Sequence, residues 1–275
     1  RRRRDLPGHV PEHDLPIGVA GRAGRVGRGR RPVYLSVEGA IRIALCPPDS
    51  AEPRAIRQMT DTSEIAALEL AALLCSRVCH DLVSPVGAIA NGLELLDENP
   101  GEDMRGFAMD LIAKSARQAS AKLQFARIAF GAAGSAGASI DLGDAEAVAK
   151  GYFAGEKPDL EWTLERAYMA KNKVKLLLNL LLIAATGVPR GGIIAVSMAG
   201  GAETPAFTIR ATGPSARLPA VTPLVLGAEE GHAADAHSIQ PIYTRLLAEN
   251  AGMKLSIEMD GEAVLIKSEP LPAMV

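Results

Sequence analysis

The chain has 275 residues, 48% of them hydrophobic and only 4% aromatic, with 30 basic and 32 acidic side chains for a formal charge of −2. That balance excludes a low-complexity or fibrous chain and leaves room for one large domain or two small ones. Three cysteines are too few for a disulfide framework, and no run approaches the roughly 20 uninterrupted apolar residues of a membrane span, so a cytoplasmic protein without a membrane partner is expected.

The charge is unevenly spread. Residues 1–58 carry 12 basic and 6 acidic side chains, beginning with RRRR and including GRAGRVGRGRR, and they lack periodicity. A disordered basic arm is one reading of such a segment. The other, which is preferred, takes Met59 as the natural start, because Asp61 and Glu64 behind it form a helix-start signal and the extension then falls outside the native chain. No nucleic-acid partner is expected.

From Met59 the elements are legible in order. A helix is predicted from about Ile65 to Asp97, a turn over the Glu-Asn-Pro-Gly run at 98–101, and a second helix from Glu102 to Phe130. On the second helix Met104, Phe107, Leu111, Ala119, Leu123, Ala126 and Phe130 recur at threes and fours, a spacing that lays them against the first helix. Two helices alone cannot enclose a core, so two hairpins pairing as a four-helix bundle predict a homodimer.

The first helix contains CHDLVSPVGAIANGLELL. Stepping about 100° per residue places Cys75, Leu82, Val83, Val86, Ile89, Ala90, Leu93 and Leu96 on one broad face expected to meet a core. Arg77, Ser84, Asn91 and Glu94 fall on the side of His80, with Gly87 beside it, so the imidazole is predicted to face solvent. Cys75 and Cys79 point toward the apolar side and away from His80, which argues for core cysteines and against a shared metal. His232 and His237 bracket a loop with metal-like spacing but no third strong ligand, and it is read as a polar loop.

A flexible linker, GAAGSAGAS, covers 131–139 and separates the hairpin domain, 59–131, from a second domain over 139–275, with 132–138 as its core. Strands are predicted at Ile140–Leu142, Leu160–Leu164, Gly192–Met198 and Ala206–Ala211. Helices are predicted at Ala145–Phe153, Asn172–Ala185 and Ser238–Ala251, and a hairpin pairs Lys254–Met259 with Ala263–Lys267 through Asp-Gly. The interleaving predicts an α+β chain: a helical hairpin, then an α/β sandwich with helices on one face of a mixed sheet.

His80, Asp81, Ser84 and Pro85 resemble the H box of sensor histidine kinases, and a helical hairpin followed by a compact α/β domain is the order of domains in those enzymes. The second domain departs from the kinase pattern. Where kinases place the magnesium-binding asparagine of the N box, LLLNLLLIAA keeps Asn179 but offers Ile183, which cannot ligate a hard cation. FTIRATGPSARL keeps Gly213 but has Ala211 for the adenine-binding aspartate and Ser215 for the second glycine, and the phosphate turn reads HSIQP without glycine. These losses imply a degenerate ATPase-like domain with no ATP and no cofactor of its own.

A phosphoacceptor histidine on such a scaffold is similar to the ChpT-type histidine phosphotransferases of bacterial cell-cycle phosphorelays. The resemblance implies that His80 receives phosphate from the receiver of a hybrid kinase, CckA-like, and passes it to response regulators, CtrA-like and CpdR-like, whose receivers supply the magnesium. It gives Asp81 the task of orienting or deprotonating the ring, Arg77 a contact to phosphate or an acidic receiver rim, and Ser84, Gly87 and Asn91 places on the docking face. An ATP-using kinase and a scaffold that merely binds receivers are the alternatives.

Overall fold

The computed structural model describes residues 67–131, 138–228 and 234–272. The expected extension at 1–58, the residues from Met59 to Ala66, His232 and most of the linker lie outside the described residues. The described elements belong to one compact unit within Arg57–Val275.

Helix α1 runs over Ala67–Asp97 and α2 over Glu102–Ala129. Between them Asn99 adopts a φ of 50°, a left-handed conformation that asparagine tolerates better than most residues, so the expected turn forms there. Glu102 and Asp103 open α2 and Arg127 stands in its last turn, charges that suit the helix dipole.

The helices meet along a seam of small residues, with Pro85 and Gly92 buried on α1 and Ala108 and Ser115 on α2. A Cβ at Gly92 would lie 2.6 Å from Cγ1 of Ile112 and 3.3 Å from the carbonyl oxygen of Ala108, so glycine permits this approach. The seam is narrower than the apolar stripes suggested by the spacing. Val83, Val86 and Leu93 on α1, and Met104, Phe107 and Leu123 on α2, are exposed, as are Cys75 and Cys79, which therefore are not core residues here. The reason is geometric: the stripes are wide enough for two neighbours, and a hairpin gives each helix only one. By length and composition α1 is long and apolar enough to cross a membrane, but Arg77, His80 and Asp81 interrupt it, so no uninterrupted apolar run of that length occurs in it.

The second part begins with β1 (Ser139–Asp141) and α3 (Leu142–Phe153). Helix α3 starts three residues earlier than expected because Oδ1 of Asp141 accepts from the backbone N–H of Gly143 at 2.8 Å and caps it. The Arg166 guanidinium grips the same carboxylate from Nε and Nη2 at 3.0 and 2.7 Å, holding it below the usual carboxylate range. Strand β2 (Pro158–Trp162) is followed by β3 (Tyr168–Ala170), which pairs with β1, and by α4 (Lys171–Gly187). Strands β4 (Gly192–Ala199) and β5 (Ala206–Thr212), the short α5 (Thr222–Leu226), α6 (Ile239–Asn250) and the hairpin β6 (Met253–Asp260) with β7 (Ala263–Pro270) complete the chain. β3 and α5 were not anticipated, since three and five residues are too short to show a period.

The main sheet has the order β2-β4-β5-β7-β6, parallel between β2 and β4 and antiparallel elsewhere. Ile194, Val196, Phe207, Ile209, Val264 and Ile266 point into the core against α4, whose side chains from Val174 to Ala184 are all buried. The opposite face carries ion pairs such as Arg210 with Asp260 and Lys267 with Glu258, as expected of an antiparallel sheet wet on one side. The α+β architecture, a helical hairpin followed by an α/β sandwich, is the one the sequence implied.

The two parts are fastened together. Phe125 on α2 stacks on Tyr152 of α3 with ring centroids 4.6 Å apart, and Lys122 pairs with Glu156 at 3.1 Å. Burial raises the Tyr152 hydroxyl well above its ordinary range. Deeper in, Asn179 on α4 donates from Nδ2 to the carbonyl of Ala129 at the end of α2, at 3.1 Å, and to that of Lys175 at 2.9 Å. Its Oδ1 accepts from Nε2 of Gln240 on α6, which also reaches the Asn179 carbonyl and Thr244 Oγ1. One buried amide thus ties the hairpin, α4 and α6 into a single hydrogen-bond network.

Candidate functional site: an exposed histidine on the hairpin

His80 lies on the outer surface of α1, where the helical spacing expected it, with 62% of its side chain exposed. Pro85 lies one turn further along and has no N–H, so it cannot donate to the carbonyl of Asp81, and its ring crowds that carbonyl. The helix is therefore locally weakened beside the histidine while remaining continuous.

The chemistry of the ring is set by its neighbour. Oδ1 of Asp81 lies 3.5 Å from Nδ1 of His80, and Oδ2 of Asp81 accepts from Nε of Arg77 at 3.1 Å. A line of three groups results, with Arg77 holding Asp81 and Asp81 facing one ring nitrogen. A proton on Nδ1 would meet this carboxylate, and in that tautomer Nε2 carries the lone pair. Arg77 is half-buried by this engagement and is less available for an incoming phosphate than its place on the polar face suggested. Ser84, Gly87 and Asn91 are exposed on the same side of α1, and a Cβ at Gly87 would meet nothing within 4 Å.

One participant was missed in the sequence. His237 lies in the turn before α6, and its ring stands edge-on to that of His80, with centroids 5.3 Å apart and planes at 78°. The loop assigned to polar filling therefore reaches the hairpin. Its Asp235 carboxylate accepts from the N–H and hydroxyl of Ser238 and from the N–H of His237, which draws its pKa down to about 2. No local pattern reveals this contact, because it is made across the fold.

The positions that the sequence sets against the kinase nucleotide motifs are packed inward. Ile183 and Ala211 are fully buried in the core, and Gln240 of the HSIQP turn is turned inward to Asn179. Among the described residues, no three His, Cys, Asp or Glu side chains gather as a metal site.

Comparison with known proteins places the chain in a family. The family model for the histidine phosphotransferase C-terminal domain matches residues 142–263. The protein phosphotransferase ChpT of Brucella abortus (strain 2308) is 54% identical over 206 residues, which cover 74% of this chain and 97% of that protein. A solved structure of a bacterial phosphotransferase superposes with a TM-score of 0.70 at 53% identity, covering 75% of this chain and 98% of the other. At that identity, over nearly the whole length of the relative, the chain belongs to the ChpT family of histidine phosphotransferases.

Proposed function

We propose that this protein carries phosphoryl groups between receiver domains through Nε2 of His80. The supporting observation is the exposed ring whose Nδ1 faces Asp81, so that Nε2 alone is open to a partner. As Nε2 attacks the aspartyl phosphate of a donor receiver, the P–O bond breaks, an N–P bond forms, and the donor is left with its carboxylate. The Nδ1 proton stays between ring and Asp81, whose charge offsets the positive charge that develops on the imidazole. Attack on Nε2–phosphorus by the aspartate of a second receiver reverses these changes and frees the ring.

Phosphoryl transfer asks mainly for positioning and charge stabilisation, and a receiver brings its own magnesium and lysine. Ser84, Gly87 and Asn91, exposed on the side of His80, are where such a domain would dock. A CckA-like receiver as donor and CtrA-like and CpdR-like receivers as acceptors are the partners the family resemblance suggests. The burial of Ile183 and Ala211 and the inward turn of Gln240 support a chain that takes its phosphate from a protein and not from ATP.

The exposed apolar residues Val83, Val86 and Leu93 on α1, with Met104, Phe107 and Leu123 on α2, support a homodimer through a four-helix bundle. A chain with both Val86 and Leu93 changed to Glu should sediment as a monomer, and a persistent dimer would refute the assignment of this face.

The function is tested by mixing the protein with a radiolabelled phosphorylated receiver. Label should move to the wild type and not to His80→Ala, while labelled ATP with magnesium should leave both unlabelled. Labelling from ATP at His80 would make the chain a kinase; no label from any receiver would reduce it to a scaffold.

A further inference from the structure

The relay needs His80 held with Nε2 facing its partner, yet its polar contact on its own helix, to Asp81, is a long 3.5 Å. An exposed histidine with one weak contact turns readily about its side-chain bonds, and each misdirected orientation removes it from the reactive geometry. The second domain supplies what α1 lacks. The His237 ring stands at 78° to that of His80 at a centroid distance of 5.3 Å, within the range in which edge-to-face ring pairs attract.

The backbone that carries His237 is held in a hydrogen-bonded turn. The His237 N–H donates to Oδ1 of Asp235 at 2.9 Å, and the same oxygen accepts the Ser238 N–H at 2.7 Å and the Ser238 hydroxyl at 2.8 Å. Ser238 leads directly into α6, where Gln240 is buried and bonded to Asn179, and Asn179 is bonded to the end of the hairpin. A continuous path of hydrogen bonds and backbone therefore runs from the base of α2, through α4 and α6, back to the ring of His80. A degenerate nucleotide domain kept only for bulk would not require its loop to return to the phosphoacceptor.

We propose that His237 is a positioning residue for phosphoryl transfer, delivered by the second domain, which packs its ring against His80 and restricts the imidazole to orientations that present Nε2 to the receiver. The proposal rests on His80 being the relay histidine. It assigns the second domain a part in the chemistry: it serves as a buttress for the reacting ring. The His237 ring acts through shape, so an aromatic ring without ring nitrogens serves in its place.

The test measures the rate of transfer from a labelled phosphoreceiver to the full-length wild type, His237→Ala, His237→Phe and His80→Ala, together with receiver affinity and the ring-proton resonances of His80. With His237→Ala the expected result is a transfer rate lower by about tenfold, as loss of orientation implies, at unchanged receiver affinity and unchanged final labelling. The His80 ring protons should shift on loss of the neighbouring ring, and His237→Phe should restore the rate. His237 is exposed, so folding is expected to survive, and melting temperatures confirm it. Wild-type rates in His237→Ala, unmoved His80 resonances, or failure of His237→Phe to rescue a slow His237→Ala would each overturn the proposal. Labelling of His80→Ala would instead overturn the relay assignment beneath it.

Discussion

The buried amide of Asn179 is the joint on which the arrangement depends, and replacing it by aspartate isolates its donor group. Asn179 is completely buried, with Nδ2 donating to the carbonyls of Ala129 and Lys175 at 3.1 and 2.9 Å. Asn179→Asp keeps the shape but turns an oxygen toward two carbonyl oxygens. The apolar variant Asn179→Leu loses both donated bonds and also the bond that Oδ1 accepts from Gln240, three hydrogen bonds worth about 1 kcal/mol each, so it should be less stable by about 3 kcal/mol. For a unit of this size that is a fall in melting temperature of about 6–12 °C.

The carboxylate adds a second cost. Burial disfavours its charged form, so its pKa in the folded state rises above the unfolded value near 3.9, and each unit of that rise removes about 1.4 kcal/mol of stability at high pH. Because the folded state binds the proton more tightly, the stability of Asn179→Asp declines as pH rises above about 4 and levels off only past the raised pKa. Thermal melts followed by circular dichroism at about pH 5 and pH 8 should therefore show Asn179→Asp recovering at the lower pH, with Asn179→Leu displaced from wild type by the same amount at both. If both variants melt within about 1 °C of wild type, the network does not fasten the hairpin, and the argument from buried hydrogen bonds fails.

Three further outcomes follow from the described contacts. Gly92→Ala should destabilise the hairpin by about 1 kcal/mol in urea unfolding, because crowding against Ile112 and the Ala108 carbonyl outweighs the better helix propensity of alanine. Gly106→Ala, which meets nothing within 4 Å, should stabilise by about 0.5–1 kcal/mol, and equal effects at the two sites would contradict the small-residue seam. The Asp235 carboxyl, lowered from 3.8 to about 2 chiefly by Ser238, contributes stability that is complete above 3.8 and is lost as pH falls toward 2. An acid titration read at the Ser238 amide should have its midpoint near the lower value, and a midpoint at or above 3.8 would mean that this turn is not formed in solution.

By itself the sequence determined the element order and the placement of His80 on the solvent side of α1. Each is local: helical period, turn chemistry and single-residue identity act within a few positions. The departures were also physical. Periodicity marks an apolar stripe but not its neighbour, so it does not say which stripe residues, Val83, Val86 and Phe107 among them, the hairpin itself leaves exposed. Three-residue β3 is held by pairing with β1, and α3 starts at Leu142 through the Asp141 cap and its Arg166 clamp. Only tertiary structure made Asn179 a fastening for the hairpin, and only it brought His237 to the ring of His80. Such contacts join residues far apart in the chain, and their energies depend on distance and orientation in the folded molecule, which no local spacing encodes.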